Sequence, residues 1–209
     1  MNEDKNTFKF VKDLPYLGIL GIIFAFLGWI VENVARLVTL GIIDSRFHFL
    51  PFISPYGLVV FALYLLIGNA DEISIFGHKL FKEKNKKTIV FSNIITFITI
   101  CLFVFLGELI VGNLWDVLFD VKLWNYTDQP LHVTRYAGLI TSLMYGGGVY
   151  LLHKFVMYPL LNFFRNKINY KNAAIFSIIC GSIIVIDTLI MMITSMFFGG
   201  PFIYWSFKL

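Results

Sequence analysis

Five apolar runs of membrane-crossing length constrain this chain more than any other feature. They fall at about 14–42, 52–70, 88–119, 136–161 and 173–199, and about 20 apolar residues carry a helix across a hydrocarbon core of roughly 30 Å. Strict alternation of apolar and polar residues, which a membrane barrel would need, is absent. Charged residues make up 14% of the 209 positions, against about 25% in a soluble domain. Mean hydropathy is +0.77. The reading is an all-α integral membrane protein: a single transmembrane domain over 1–209, a bundle of about five transmembrane helices.

Charge placement suggests an orientation. Lys5, Lys9 and Lys12 precede the first run; Lys79, Lys82, Lys84, Lys86 and Lys87 separate the second and third; Arg165, Lys167 and Lys171 separate the fourth and fifth. The opposite side holds only Arg46, Lys122, Arg135 and Lys208, with Arg36 and Lys154 inside runs. By the positive-inside rule the chain is a multi-pass protein of the cell membrane, N-terminus cytoplasmic and C-terminus extracellular. The net charge of +4 then reflects loops facing anionic lipid and asks for no nucleic-acid partner. No small-x-small cleavage site follows the first run, so that run is expected to stay. Cys101 and Cys180 lie inside runs without metal or redox spacing and read as small packing residues.

Ionisable residues inside such runs are the functional signal, since one at a helix centre costs about 2.5–3.5 kcal/mol. Glu32 lies eighteen residues past Leu14, Glu108 twenty past Thr88 and Asp187 fourteen past Ala173. At about 1.5 Å per residue all three reach the outer half of the membrane. Arg36 follows Glu32 by one turn. Glu32 shares a stripe with Gly21, Ala25 and Gly28, the face expected to pack on other helices. Glu32, Arg36, Arg46, Glu108 and Asp187 are therefore candidates for a substrate or proton pathway. Trp29, Pro55, Tyr56, Trp124, Tyr126 and Asp128 are candidates for a pocket built by the outer loops. Arg46 is the expected partner of Glu108, because Arg36 has Glu32 beside it, and the two acids are expected to share one pocket. The segments Arg46 to Tyr56 and Trp124 to Pro130 should pack over the outer helix ends. His48 and His132 lack ligand spacing, so no metal is expected.

An internal repeat is also legible. Phe24 to Gly28 matches Phe103 to Gly107, and Ile30, Val31 and Asn33 match Ile110, Val111 and Asn113. The repeats would run in parallel over 17–70 and 96–161, with a fifth span at 173–199. No phosphate-binding loop, zinc-protease or serine-hydrolase motif occurs, so no cofactor is expected and the balance leans away from an enzyme.

The order Gly28, Trp29, Glu32, Arg46, Pro51, Pro55, Tyr56, Gly57 resembles a bacterial family labelled ABC-transporter type IV permease, CmpB-like small integral membrane proteins. Gly107-Glu108 followed by Trp124, Tyr126, Asp128 and Pro130, with Pro159 ending the fourth run, extends the resemblance over about residues 20 to 162. Glycines that the family carries before its Pro-x-Tyr-Gly segment are missing here, so a tight turn near Arg46 is not expected. The resemblance implies a membrane subunit of a transporter, served by a separate cytoplasmic ATPase docking at the loop Lys79 to Lys87; a homo-oligomer is also compatible. Two other readings stay open: a membrane enzyme acting on a lipid or isoprenoid in the outer leaflet, and a non-catalytic accessory or sensory protein.

Overall fold

The computed structural model describes residues 3–76, 78–120, 122–198 and 202–208. The chain is mostly helical and forms no closed sheet. Helices α1 (Glu3–Leu40), α3 (Lys86–Phe119) and α6 (Tyr170–Phe198) each contain a stretch long and apolar enough to cross a membrane. A fourth helical run is continuous through α4 (Leu139–Leu152), a π-helical turn (His153–Met157) and α5 (Tyr158–Lys167). The architecture is thus the all-α membrane bundle that composition demands. Helix α2 (Ser54–Leu66) departs from the expected span at 52–70: its 13 residues cover about 20 Å, short of a roughly 30 Å core. Gly68 opens strand β2 (Gly68–Asn69) instead, which continues into an antiparallel ribbon with β3 (Glu72–Ile75) and β4 (His78–Lys79).

The helices pack as two compact units, Met1–Ala62 with Leu160–Leu209, and Leu63–Pro159. In the first unit α1 packs mainly on α6. Of the apolar stretch of α1, 44% is buried, against 11% for that of α6, so α1 is the inner helix. Leu17 and Leu20 are fully buried, while Ile178, Phe197 and Phe198 of α6 are left outward, a surface suited to lipid. Near the basic end, Asp13 pairs with Arg165, the Tyr16 hydroxyl donates to Ile168 O (3.2 Å), and Ser177 Oγ donates to Pro15 O (2.6 Å).

At the other end of α1, Gly41 takes a left-handed φ of +66° and its N–H donates to Leu37 O, stopping the helix as glycine commonly does. The chain then enters β1 (Ile42–Asp44), which pairs antiparallel with β5 (Ser206–Lys208), Ile42 opposite Lys208. The C-terminal segment therefore lies against the loop that follows α1.

In the second unit α3 packs mainly on α4. Asn85 caps α3, its side chain accepting from Thr88 N while Asn85 N donates to the Thr88 hydroxyl (2.9 Å), a reciprocal capping box. Ser92 Oγ accepts from Ile73 N (2.7 Å) and donates to Ala70 O (2.8 Å), tying the ribbon to α3.

Candidate functional site

The loop from Asp44 to Ile53 is held by a polar network inside the first unit. Asn33 Nδ2 donates to Trp29 O, leaving Asn33 Oδ1 to accept from Asp44 N (2.7 Å). The Asp44 carboxylate is buried; it lies 2.7 Å from Arg36 Nη2 and accepts from Arg46 N (2.9 Å). That last bond is an Asx turn leading into a tight turn at Ser45–His48, where His48 N donates to Ser45 O. Arg46 and Phe47 have φ of +53° and +69°, the pattern of a type I′ turn. Non-glycine residues there cost of the order of 1–3 kcal/mol each. Contacts on every side hold the turn: Ser45 N donates to Trp205 O (3.0 Å) and Tyr204 N to Ser45 Oγ (3.1 Å). The tight turn forms without the glycines that the sequence comparison had looked for.

Arg46 so positioned directs Nη2 to Glu32 Oε2 at 3.1 Å, and Tyr56 OH donates to Glu32 Oε1 at 2.8 Å. Both expected arginine partnerships are thereby corrected. Arg36 pairs with Asp44 rather than with Glu32 one turn away, and Arg46 pairs with Glu32 rather than Glu108. The reason is reach: β1 turns back along the end of α1, bringing Asp44 to Arg36, and the tight turn aims Arg46 inward.

Asp187 belongs to this network too. Its Oδ2 lies 3.0 Å from His48 Nδ1, with both side chains at most 5% exposed, and its Oδ1 accepts from Phe49 N (2.9 Å) and Leu50 N (3.4 Å). Facing a carboxylate, Nδ1 is the ring nitrogen that carries hydrogen. Burial holds the His48 pKa below its ordinary value; Asp187 opposes that and Arg46 adds to it. Ile53 N donates to Ala25 O (3.0 Å), closing the loop onto α1. Trp29 stacks on Phe26 and meets Trp205 edge-on at 6.0 Å. Pro55 is exposed in the first turn of α2, where proline's missing N–H costs nothing.

In the second unit Glu108 is half-buried; Tyr126 OH donates to it at 3.0 Å, and Ser142 Oγ, which also donates to Gly138 O at 2.7 Å, stands 3.3 Å away. Tyr126 N donates to Arg135 O (2.8 Å), and Trp124 Nε1 donates to Tyr136 O (2.8 Å), so this loop is pinned as well. Asp128 is exposed on it.

The two units share a clasp. A Cβ at Gly28 would collide with the Tyr56 ring, whose hydroxyl bonds Glu32 four residues on. A Cβ at Gly112 would collide with the Tyr136 ring, whose hydroxyl donates to Asp116 Oδ2 at 2.6 Å, again four residues on. Arg135 stands 3.9 Å from Asp116. In this contact Gly112 plays the part of Gly28, whereas a Cβ at Gly107, which sequence matching pairs with Gly28, would meet nothing within 4 Å.

Sequence reasoning missed His48, set aside for want of ligand spacing, Asn33 and Asp44, whose roles depend on the turn, and Tyr136, whose role depends on its contact with Gly112. It also passed over Lys154, in the π-helical turn, whose Nζ lies 2.6 Å from Asn93 Oδ1 and 3.5 Å from Asp71 Oδ1. The rule that singled out Glu32, an ionisable residue in an apolar run, would have found it.

These features define a polytopic α-helical membrane protein with ion-paired and hydroxyl-bonded carboxylates set into its long helices. The chain belongs to the family described as "Putative ABC-transporter type IV", whose model matches residues 19–192; it is accordingly a membrane protein of an ABC-transporter-related family. No curated protein and no solved structure matches it.

Proposed function

We propose that the chain is the membrane-embedded permease subunit of a transporter driven by a separate cytoplasmic ATPase. The observation that carries this reading is the family membership, joined to carboxylates kept inside spanning helices, where an idle charge is costly. In this reading Glu32, Arg36, Arg46 and Asp187 serve the polar path in the first unit and Glu108 in the second, with Trp29, Pro55, Tyr56, Trp124, Tyr126 and Asp128 at the loop-side entrance. Glu108 is the proton carrier, since protonating an acid held by hydroxyls breaks no ion pair. The N-terminus is cytoplasmic and the C-terminus extracellular. The β1–β5 pairing supports placing the C-terminal segment on the side where α1 ends.

The ATPase docks at the loop Lys79 to Lys87. Glu72 accepts from Lys79 (2.9 Å) and Lys84 (2.6 Å), folding the loop, while Lys82, Lys86 and Lys87 are exposed on it. The test is purification from native membranes followed by reconstitution. An ATPase should co-purify, be stimulated in liposomes containing this chain, and be lost when Lys82, Lys86 and Lys87 are changed to Glu. Purification with no ATPase would sink the proposal. Cysteines at position 84 and position 128 should label only from the cytoplasm and only from outside, respectively; the reverse pattern overturns the orientation.

A further inference from the structure

Lys154 is an ammonium inside the fourth apolar run, and the function proposed above makes no use of it. It sits in the π-helical turn His153–Met157, and its partners come from other elements of the second unit. Asn93 of α3 is the hub. Its Oδ1 accepts from Lys154 Nζ (2.6 Å) and from Tyr150 OH of α4 (2.8 Å). Its Nδ2 donates to Ile89 O (2.7 Å) and to Asp71 Oδ1 (3.0 Å). A side-chain amide offers two acceptor and two donor positions, and here all four are taken, so the amide can turn only by breaking them. Asp71 also stands 3.5 Å from Lys154 Nζ.

Asp71 immediately precedes β3, whose Glu72 holds Lys79 and Lys84 of the docking loop. Ser92, next to Asn93 in the chain, bonds Ala70 O and Ile73 N on either side of Asp71. The loop, the ribbon and the first turns of α3 are therefore one hydrogen-bonded body, and Asp71 is where that body meets the cation of the π-helical turn.

Such turns are rare and occur frequently at functional sites. A π turn closes one residue later than an α turn, so rewinding it would slide one flank by about 1.5 Å and rotate it by about 100°. One flank is α4, which carries Ser142 beside Glu108. Displacing the ribbon would take away the Asp71 carboxylate and the fixed orientation of Asn93 together, and a less well paired lysine within an apolar run is costly. The charge thus holds ribbon and π turn to a common movement. We infer that Asp71, Asn93 and Lys154 form a coupling latch that carries displacement of the docking ribbon into the π-helical turn and so to α4, an inference that rests on the docking proposed above.

The full-length protein is reconstituted in liposomes with the ATPase that co-purifies with it, and both binding and stimulated ATP hydrolysis are measured. Lys154→Gln and Asp71→Asn should bind the ATPase as the unchanged protein does, because Lys82, Lys86 and Lys87 are untouched. Stimulation should fall about tenfold, a usual size for coupling between sites. Exchanging the charges, Asp71→Lys with Lys154→Asp, should recover most of it. Full stimulation in Lys154→Gln would end the inference. Loss of binding would end it too, by making the cluster a support of the docking surface alone. Amide hydrogen exchange without any ATPase separates the latch from the docking reading: Asp71→Asn should speed exchange across 154–158 about fivefold, and unchanged exchange there refutes the latch even where an ATPase docks. If exchange responds and no ATPase binds the unchanged protein, the latch stands and the docking reading falls. Should Lys154→Gln fail to fold, Tyr150→Phe, which keeps the ring and removes one donor to Asn93, must lose stimulation with binding kept.

Discussion

The two units close a loop onto a helix with the same clasp, a tyrosine ring against a glycine and its hydroxyl on an acid one turn further, yet they treat the charge differently. Glu32 is ion-paired at 3.1 Å by an arginine whose own backbone is forced into a left-handed turn. Asp116 has its arginine at 3.9 Å, and that arginine is 44% exposed. The unit's other acid, Glu108, has hydroxyl partners. A shared backbone device thus does not imply a shared chemistry. The first unit pairs Asp44 and Glu32 with arginines, while the second gives Glu108 hydroxyl neighbours.

If the clasp is the same device in both units, disrupting its glycine should be equally damaging in each. Gly28→Val and Gly112→Val should both destabilise by about 3 kcal/mol or more through overpacking against the tyrosine, as followed by thermal unfolding in detergent. A tolerated Gly112→Val would break the equivalence. Gly107→Ala, immediately before Glu108 in the chain, should change little, since a Cβ there meets nothing within 4 Å.

The loops should differ next. Asp187→Ala leaves the His48 ring and two backbone N–H groups of the first loop without their acceptor, and should cost about 2–3 kcal/mol. Amide hydrogen exchange at Phe49 and Leu50 should speed up accordingly. Ser142→Ala removes a hydroxyl shared between Gly138 O and Glu108 and should cost about 1 kcal/mol. Equal effects would mean that the first loop is not held through Asp187.

The arginines give a smaller contrast. Arg46→Ala should cost about 1–2 kcal/mol, less than the 3–5 of a fully buried pair because Glu32 keeps 31% exposure. Arg135→Ala should cost under about 1 kcal/mol, as an exposed and distant pair. The reverse ranking would reverse the reading of which unit is charge-locked.

The smallest effects are titrations. The His48 pKa is lowered in the folded protein, so its contribution is complete above the ordinary value of 6.5 and is lost as pH falls below it, because the unfolded chain takes up the proton more readily. Exchange at Phe49 should therefore rise on acidification, and in His48→Gln it should not. In the second unit, hydrogen bonds from Lys84 and Lys79 lower the Glu72 pKa from 4.5 to about 2. Its contribution is present above 4.5 and fades between 4.5 and about 2, so exchange at the ribbon amides should rise only in that more acidic window.

Much of the outline was legible in the chain. Runs of apolar residues declare helices in lipid because the bilayer leaves a backbone no other way to satisfy its hydrogen bonds, and the cost of charge in hydrocarbon marks Glu32, Glu108 and Asp187 without any structure. What the sequence could not decide was pairing. Which arginine meets which acid depends on a two-residue left-handed turn at Arg46 and Phe47 and on the C-terminal segment returning from the far end of the chain to fix Ser45. Hydropathy depends on composition within a window and is readable locally. A salt bridge or a clasp depends on positions that turns and loops bring within about 3 Å, and only the packed tertiary structure supplies that distance.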